Sequence, residues 1–111
     1  MSKQKREHFR IVYNADYFPH FLWDGGKFRI LDISEKGLKF TIQDHISHLV
    51  APGDRMEGQV RFRNGQTCDI SGEVLRVDKR VVVLGLSEAV PGGVMMEQHR
   101  ILIQRRRSHG A

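Results

Sequence analysis

Asp32, Ser34 and Gly37, in the stretch DISEKG at 32–37, place a carboxylate, a hydroxyl and a position without a side chain at fixed spacing between two apolar runs. Residues two apart on an extended chain share a face. Asp32 and Ser34 would therefore offer an acceptor and a small polar contact side by side. Gly37 would let the backbone turn sharply, with positive φ if needed, and would keep a side chain out of a ligand's way. A second group precedes it. Arg6 and Arg10 enclose EHF in REHFR at 6–10, and an arginine fork suits planar, bidentate contacts to phosphates and base edges. This is chemistry for holding a polar anion. Bond-making is not expected, because no nucleophile stands beside a base and no paired carboxylates sit in a Gly-rich frame.

The two groups differ in specificity. Twelve of the 111 residues are arginine, so an Arg-x-x-x-Arg pair arises about once by chance, and Arg76 and Arg80 form another. That second pair reads as a solvated strand end and turn. Asp-x-Ser-x-x-Gly is rarer, expected about 0.04 times in a chain of this composition. Asp69-Ile70-Ser71 repeats its first half but has Val74 where the first has Gly37, and it lies inside an alternating strand. Taken alone, Arg6 and Arg10 could be a basic tail, and Asp32, Ser34 and Gly37 an Asx-type turn capping a hairpin.

The elements that must position these residues have a period of two. MEGQVRFR at 56–63 alternates Met56, Gly58, Val60 and Phe62 against Glu57, Gln59, Arg61 and Arg63. CDISGEVLRV at 68–77 alternates likewise, VVVLGL at 81–86 is a β-branched run, and KFRILDI at 27–33 and GLKFTI at 37–42 read as shorter strands. Asp24-Gly25-Gly26, Pro52-Gly53-Asp54 and Asn64-Gly65 mark turns. YFPHFLW at 17–23 reads as a first strand that Pro19 confines to an edge or bulge. After PGGV at 91–94, apolar residues at 94, 95, 101 and 102 have helical spacing. Arg105, Arg106 and Arg107 are expected in that helix's last turn. The fold class is mainly β: a small six-stranded antiparallel barrel, closed to remove its edges, with a flexible basic arm before it and one α-helix after it.

Length and charge narrow the partners. One domain is expected over 1–111, with an arm at 1–10, a barrel at 15–88 and a helix at 94–107. Cys68 is the single cysteine, so no internal disulfide is possible. It reads as a buried hydrophobe. The charged start has no apolar h-region, and no apolar run reaches membrane-span length. A cytoplasmic location is expected. The net charge of +5 and pI near 9.8 call for an anionic partner. His45 and His48 beside Asp44 lack further ligands at metal-site spacing, so neither a metal nor a cofactor is expected and DHISH reads as a solvated loop or short helix. The aromatic residues at 17–23, Trp23 among them, read as packing. The apolar stripe at 94–102 reads as a cover for the barrel's end, or else as a partner surface.

Arg6/Arg10 followed some twenty residues later by Asp32-x-Ser34-x-x-Gly37 resembles the PilZ domain family, bacterial receptors for cyclic di-GMP. GEVLR at 72–76 and VLGLSE at 83–88 also look like the family's later strands. The resemblance implies a split β-barrel and cyclic di-GMP as ligand. It assigns Arg6 and Arg10 to phosphate and the guanine O6/N7 edge, and Asp32 and Ser34 to the base's opposite edge, with Gly37 beside them. A carboxylate suits that edge because N1–H and the 2-amino group are both donors. In this family the residue before the first arginine, here Lys5, affects whether one ligand or a stacked pair is held. Binding would order the arm and change the surface shown to a downstream protein, in motility, biofilm or exopolysaccharide, or virulence control.

Two rivals remain. A nucleic-acid-binding small barrel fits the charge, but the strands lack a clustered aromatic platform for bases. A ligand-independent PilZ-like assembly factor, as in pilus biogenesis, would have lost the motif residues that this chain keeps.

Overall fold

The computed structural model describes the chain from Arg10 to Gly110, with side chains through Arg106. Seven strands and two helices follow in order: β1 (Arg10–Val12), β2 (His20–Trp23), β3 (Gly26–Ser34), β4 (Gly37–Thr41), α1 (Asp44–Ser47), β5 (Arg55–Arg61), β6 (Thr67–Asp78), β7 (Val81–Leu86) and α2 (Gly92–Gly110). All the pairings are antiparallel, in the order β1-β3-β2-β5-β6-β7-β4, and β4 returns to β3. The strands β2 to β7 thus close a six-stranded barrel, and β1 pairs with residues 32–34 of β3, beyond the end of β2 and on the edge opposite β4.

Turn chemistry sets the register. Asp24 and Gly25 both take positive φ, 50° and 80°, between the paired Trp23 and Gly26. Two such residues give a type I′ turn whose twist matches the flanking strands. The Asn64-Gly65 signal becomes a longer loop. Phe62 donates its N–H to the Gln66 carbonyl, Gly65 donates to the Phe62 carbonyl, and Gly65 has φ 93°. Pro19 ends up outside β2, and β2 lies between β3 and β5 rather than at an edge. It is tolerated there because it precedes the strand and uses only its carbonyl, which accepts from Ile30 N–H.

Alternation fills the interior. Met56, Val60 and Phe62 point inward, as do Ile70, Val74, Val82, Leu84 and Leu86. Phe21 packs against Phe40 with centroids 4.8 Å apart and ring planes tilted by 55°, and both are fully buried. Truncating either to Ala would cost about 3–5 kcal/mol. Trp23 is half-buried against this core. Cys68, expected to be buried, is only partly so. Its thiol is pushed up by burial and then by the neighbouring Asp69 carboxylate.

Helix α2 starts two residues earlier and ends three later than its apolar spacing suggests. The last strand ends at Leu86, five residues before Pro91, which instead serves the helix, its carbonyl accepting from Val94 and Met95 N–H. The helix buries Met95 fully and Val94 and Leu102 in part. Between them lies Gln98, 4 % exposed, donating to Gln66 Oε1 at 2.8 Å and Asn64 Oδ1 at 3.2 Å. The β5–β6 turn therefore supplies the acceptors for the amide of this buried side chain. Arg105 lies over the Tyr17 ring at 4.3 Å, a turn before the helix ends rather than in its last turn. The DHISH stretch forms the one-turn α1.

Candidate functional site

Strict alternation along β3 would have spoiled the site. Phe28 and Ile30 point into the barrel, so Asp32 and Ser34 would follow them inward. A β-bulge prevents this. Ile30 faces Phe40 and Asp32 faces Lys39, adjacent residues on β4, so Leu31 is the extra residue. The phase then reverses: Ile33 is buried opposite Leu38, and Asp32 and Ser34 turn outward. A one-residue insertion re-aims two polar side chains without breaking the core.

β1 brings Arg10 to the same place. The register pairs Arg10 with Ser34, Ile11 with Ile33 and Val12 with Asp32. Buried Ile11 anchors the strand, and Arg10 is left exposed on the face that carries Ser34. Directly opposed residues have Cβ atoms about 5 Å apart. Arg10, expected in a flexible arm, is thus held in a strand. Lys5 and Arg6 lie outside the described residues.

Gly37 opens β4 beside Ser34. Its φ is not positive, so the sharp-turn role is not used. The requirement is space: a Cβ there would come within 3.3 Å of Ser34 Oγ and 3.7 Å of the Leu84 carbonyl. Gly37 is paired with Gly85 on β7, and Gly85 with Glu73 on β6. The next row on this outer face runs Val12, Asp32, Lys39, Val83, Arg76. The result is a shallow floor with two adjacent glycines, bounded by Arg10, Lys39 and Arg76 and carrying two acids, Asp32 and Glu73. Leu75, the extra residue of a second bulge between Val74 and Arg76, folds over Gly85.

Lys39 Nζ lies 3.6 Å from Asp32 Oδ2. Asp32 is 15 % exposed, so the ion pair is partly shielded but open to exchange for another donor. The loop between Ser34 and Gly37 is fastened on its far side. The Lys36 carbonyl accepts from Leu86 N–H and the Glu35 carbonyl from Val90 N–H, at 2.9 and 2.8 Å. Val90 leads directly into α2.

The repeated half-motif Asp69-Ile70-Ser71 has its own partners. Asp69 accepts from Gln59 Nε2 at 3.2 Å, and Ser71 accepts from Arg55 Nη2 at 2.8 Å, both across the β5–β6 pair. Those side chains tie two strands together. Arg80 makes an exposed 3.6 Å pair with Asp44, and Arg76 is exposed. Lys39 and Gly85 carry no signal in the sequence, and Arg76, expected as a solvated strand end, lies on the same outer face as Asp32. Only the strand register, which depends on two bulges, places them beside the motif.

The PilZ domain model matches residues 4–90 of the chain. The chain belongs to the PilZ domain family. No curated protein matches it. Among solved structures, the PilZ domain of YcgR from Escherichia coli with c-di-GMP superposes with a TM-score of 0.65 at 15% identity, covering 96% of this chain and 95% of that one. The Bacillus subtilis inhibitor of motility MotI/DgrA gives 0.59 at 21% identity over 96% of this chain, which spans 53% of that protein. An uncharacterised Legionella protein gives 0.54 at 16% identity, covering 93% and 99%. These likenesses establish the fold. Among the described residues no helix is long and apolar enough to cross a membrane, and no group of three His, Cys, Asp or Glu could hold a metal ion.

Proposed function

We propose that the protein is a cyclic di-GMP receptor that relays the ligand's presence to a protein partner and performs no chemistry itself. The observation that carries the reading is the convergence of Arg10, Asp32, Ser34 and Gly37 on one outer face, produced by β1 pairing and the Leu31 bulge. Family membership supports it, as does the YcgR PilZ domain, whose structure holds c-di-GMP.

In this reading Arg10, with Arg6, donates to phosphate oxygens and to guanine O6/N7. Asp32 exchanges Lys39 for the guanine N1–H and 2-amino donors, and Ser34 adds a contact at the base's side. Gly37, which lacks a side chain beside Ser34, leaves room for the purine, with the Leu75 side chain over Gly85 at its border. Lys5 would bear on whether one ligand or a stacked pair is held. Contact of Arg6 with the ligand would hold the chain before β1 against this face and change the surface shown to a partner. The carbonyl links from Glu35 and Lys36 to Val90 and Leu86 would pass a loop displacement to the start of α2. The processes served are those of the family: motility, biofilm or exopolysaccharide, and virulence control. The protein would act in the cytoplasm.

Calorimetric titration of the full chain with cyclic di-GMP tests it. Each charge-assisted hydrogen bond contributes about 1.5–3 kcal/mol, so Arg10→Ala should weaken binding at least tenfold. Asp69→Ala, whose partner is Gln59, should bind as the parent does. Loss of binding in Asp69→Ala with none in Arg10→Ala would defeat the assignment.

A further inference from the structure

The far end of β3 and β4 holds a second feature that the nucleotide reading does not use. Above Ile30 and Phe40 the two strands are paired; below them they part. From Arg29 to Gly26 β3 pairs only with β2, while β4 stays on β7 as far as Thr41 and Val81, and Ile42 N–H continues to the Arg80 carbonyl. The edges at 26–29 and 41–43 that face each other across this seam therefore have no strand partner. A cleft of about 880 Å³ lies there.

Its walls are cationic. Lys27, Arg29, Lys79 and Arg80 line it against one acid, Asp78. Among the described residues Lys27, Arg29 and Lys79 make no ion pair, and Arg80 has only its exposed contact with Asp44. The Arg29 guanidinium is set in place over the Phe18 ring at 4.8 Å, and its Nε is buried without a hydrogen-bond partner. The His20 imidazole, also in the cleft, is pushed down by burial first and then by Lys27, Arg63 and Arg61. Phe18 already carries Arg29 on one face and packs at a steep angle against His20, centroids 5.2 Å apart, so it is a poor platform for a stacked base.

We propose that this seam docks an extended acidic segment of a partner protein. Its backbone would pair with an open strand edge, and its carboxylates would take the fixed fork of Arg29 and the ammonium and guanidinium groups of Lys27, Lys79 and Arg80. Charge complementarity selects the partner's sign, and the unpaired edges select its extended form. The site stands at the opposite end of β3 and β4 from Asp32 and Gly37, and its assignment does not depend on the nucleotide.

The test is amide NMR on the full chain without nucleotide, titrated with a blocked ten-residue peptide of alternating Glu and Thr. A ten-residue oligothymidylate forms a second arm. Peptide-induced shifts should cluster at 26–29, 41–43 and 78–81. Lys27→Glu and Arg80→Glu, both at exposed positions, should each weaken the peptide at least tenfold. Arg106→Glu on α2, the same change of charge elsewhere, should stay within about twofold. Shifts scattered over the basic surface, equal loss in Arg106→Glu, or oligothymidylate binding in the seam as tightly as the peptide would overturn the proposal.

Discussion

Replacing Gly37 with Ala should move stability and affinity in unrelated ways. Gly37 lies in a strand and does not use positive φ, so Ala can adopt its backbone. Restricting the unfolded chain should then stabilise by about 0.4–1 kcal/mol. Against this, the new Cβ meets Ser34 Oγ at 3.3 Å. The hydroxyl must rotate or shift by a few tenths of an ångström, at about 0.5–1.5 kcal/mol if it leaves its rotamer. The two terms nearly cancel, so urea unfolding should give a net change within about 1 kcal/mol of the parent. Binding has no such compensation. The displaced hydroxyl loses a hydrogen bond of about 0.5–1.5 kcal/mol, and a methyl group rises from the glycine floor where the purine would lie. Calorimetry should show cyclic di-GMP weakened about fivefold or more. A stability loss above about 2 kcal/mol would mean that the backbone itself needs glycine. Unchanged affinity would mean that the floor is not the ligand's bed. Either outcome refutes this account of the position.

Asp32→Asn should weaken cyclic di-GMP by at least about tenfold, since the amide presents donors to donors, while the loss of the Lys39 pair should cost less than about 1 kcal/mol in thermal or urea unfolding. Tyr13→Phe should stabilise the fold by about 1 kcal/mol at neutral pH, because the Tyr13 hydroxyl is buried with no hydrogen-bond partner among the described residues. Burial, and then the charge of Tyr17, raises the Tyr13 phenol above its ordinary value. The unfolded chain therefore loses this proton first, near pH 10. The stability linked to it is intact below that pH and falls as pH rises beyond it. Tyr13→Phe should flatten that alkaline decline in a pH series of unfolding curves, and an unchanged decline would place its cause elsewhere.

Much of the barrel was legible because a half-buried strand writes its two faces in alternate residues. MEGQVRFR and CDISGEVLRV became β5 and β6 with their apolar faces inside, and the run VVVLGL became β7. Asp24-Gly25 marked its hairpin because few other pairs accept two positive φ values. β1 was not legible. RIV is three residues long, and only its pairing with β3 makes it a strand. The bulge at Leu31 left no mark either, since KFRILDI reads as one uninterrupted run. Sequence could thus place Asp32 and Ser34 on one face, but it could not show that this face is the outer one. For the same reason Lys39 and Gly85 stayed hidden and Arg76 read only as a solvated strand end, because their neighbours are set by long-range register. In α2 nothing in the sequence marks Gln98 as buried, as its partners Asn64 and Gln66 are more than thirty residues away.

The most direct measurement follows amide shifts of the full chain during titration with cyclic di-GMP at tens of micromolar, where about 6 kcal/mol of attraction already shows. The account predicts saturable shifts concentrated at residues 10–12, 32–39 and 83–85. An absence of shifts, or shifts confined to the cationic seam at 26–29 and 78–81, would contradict it.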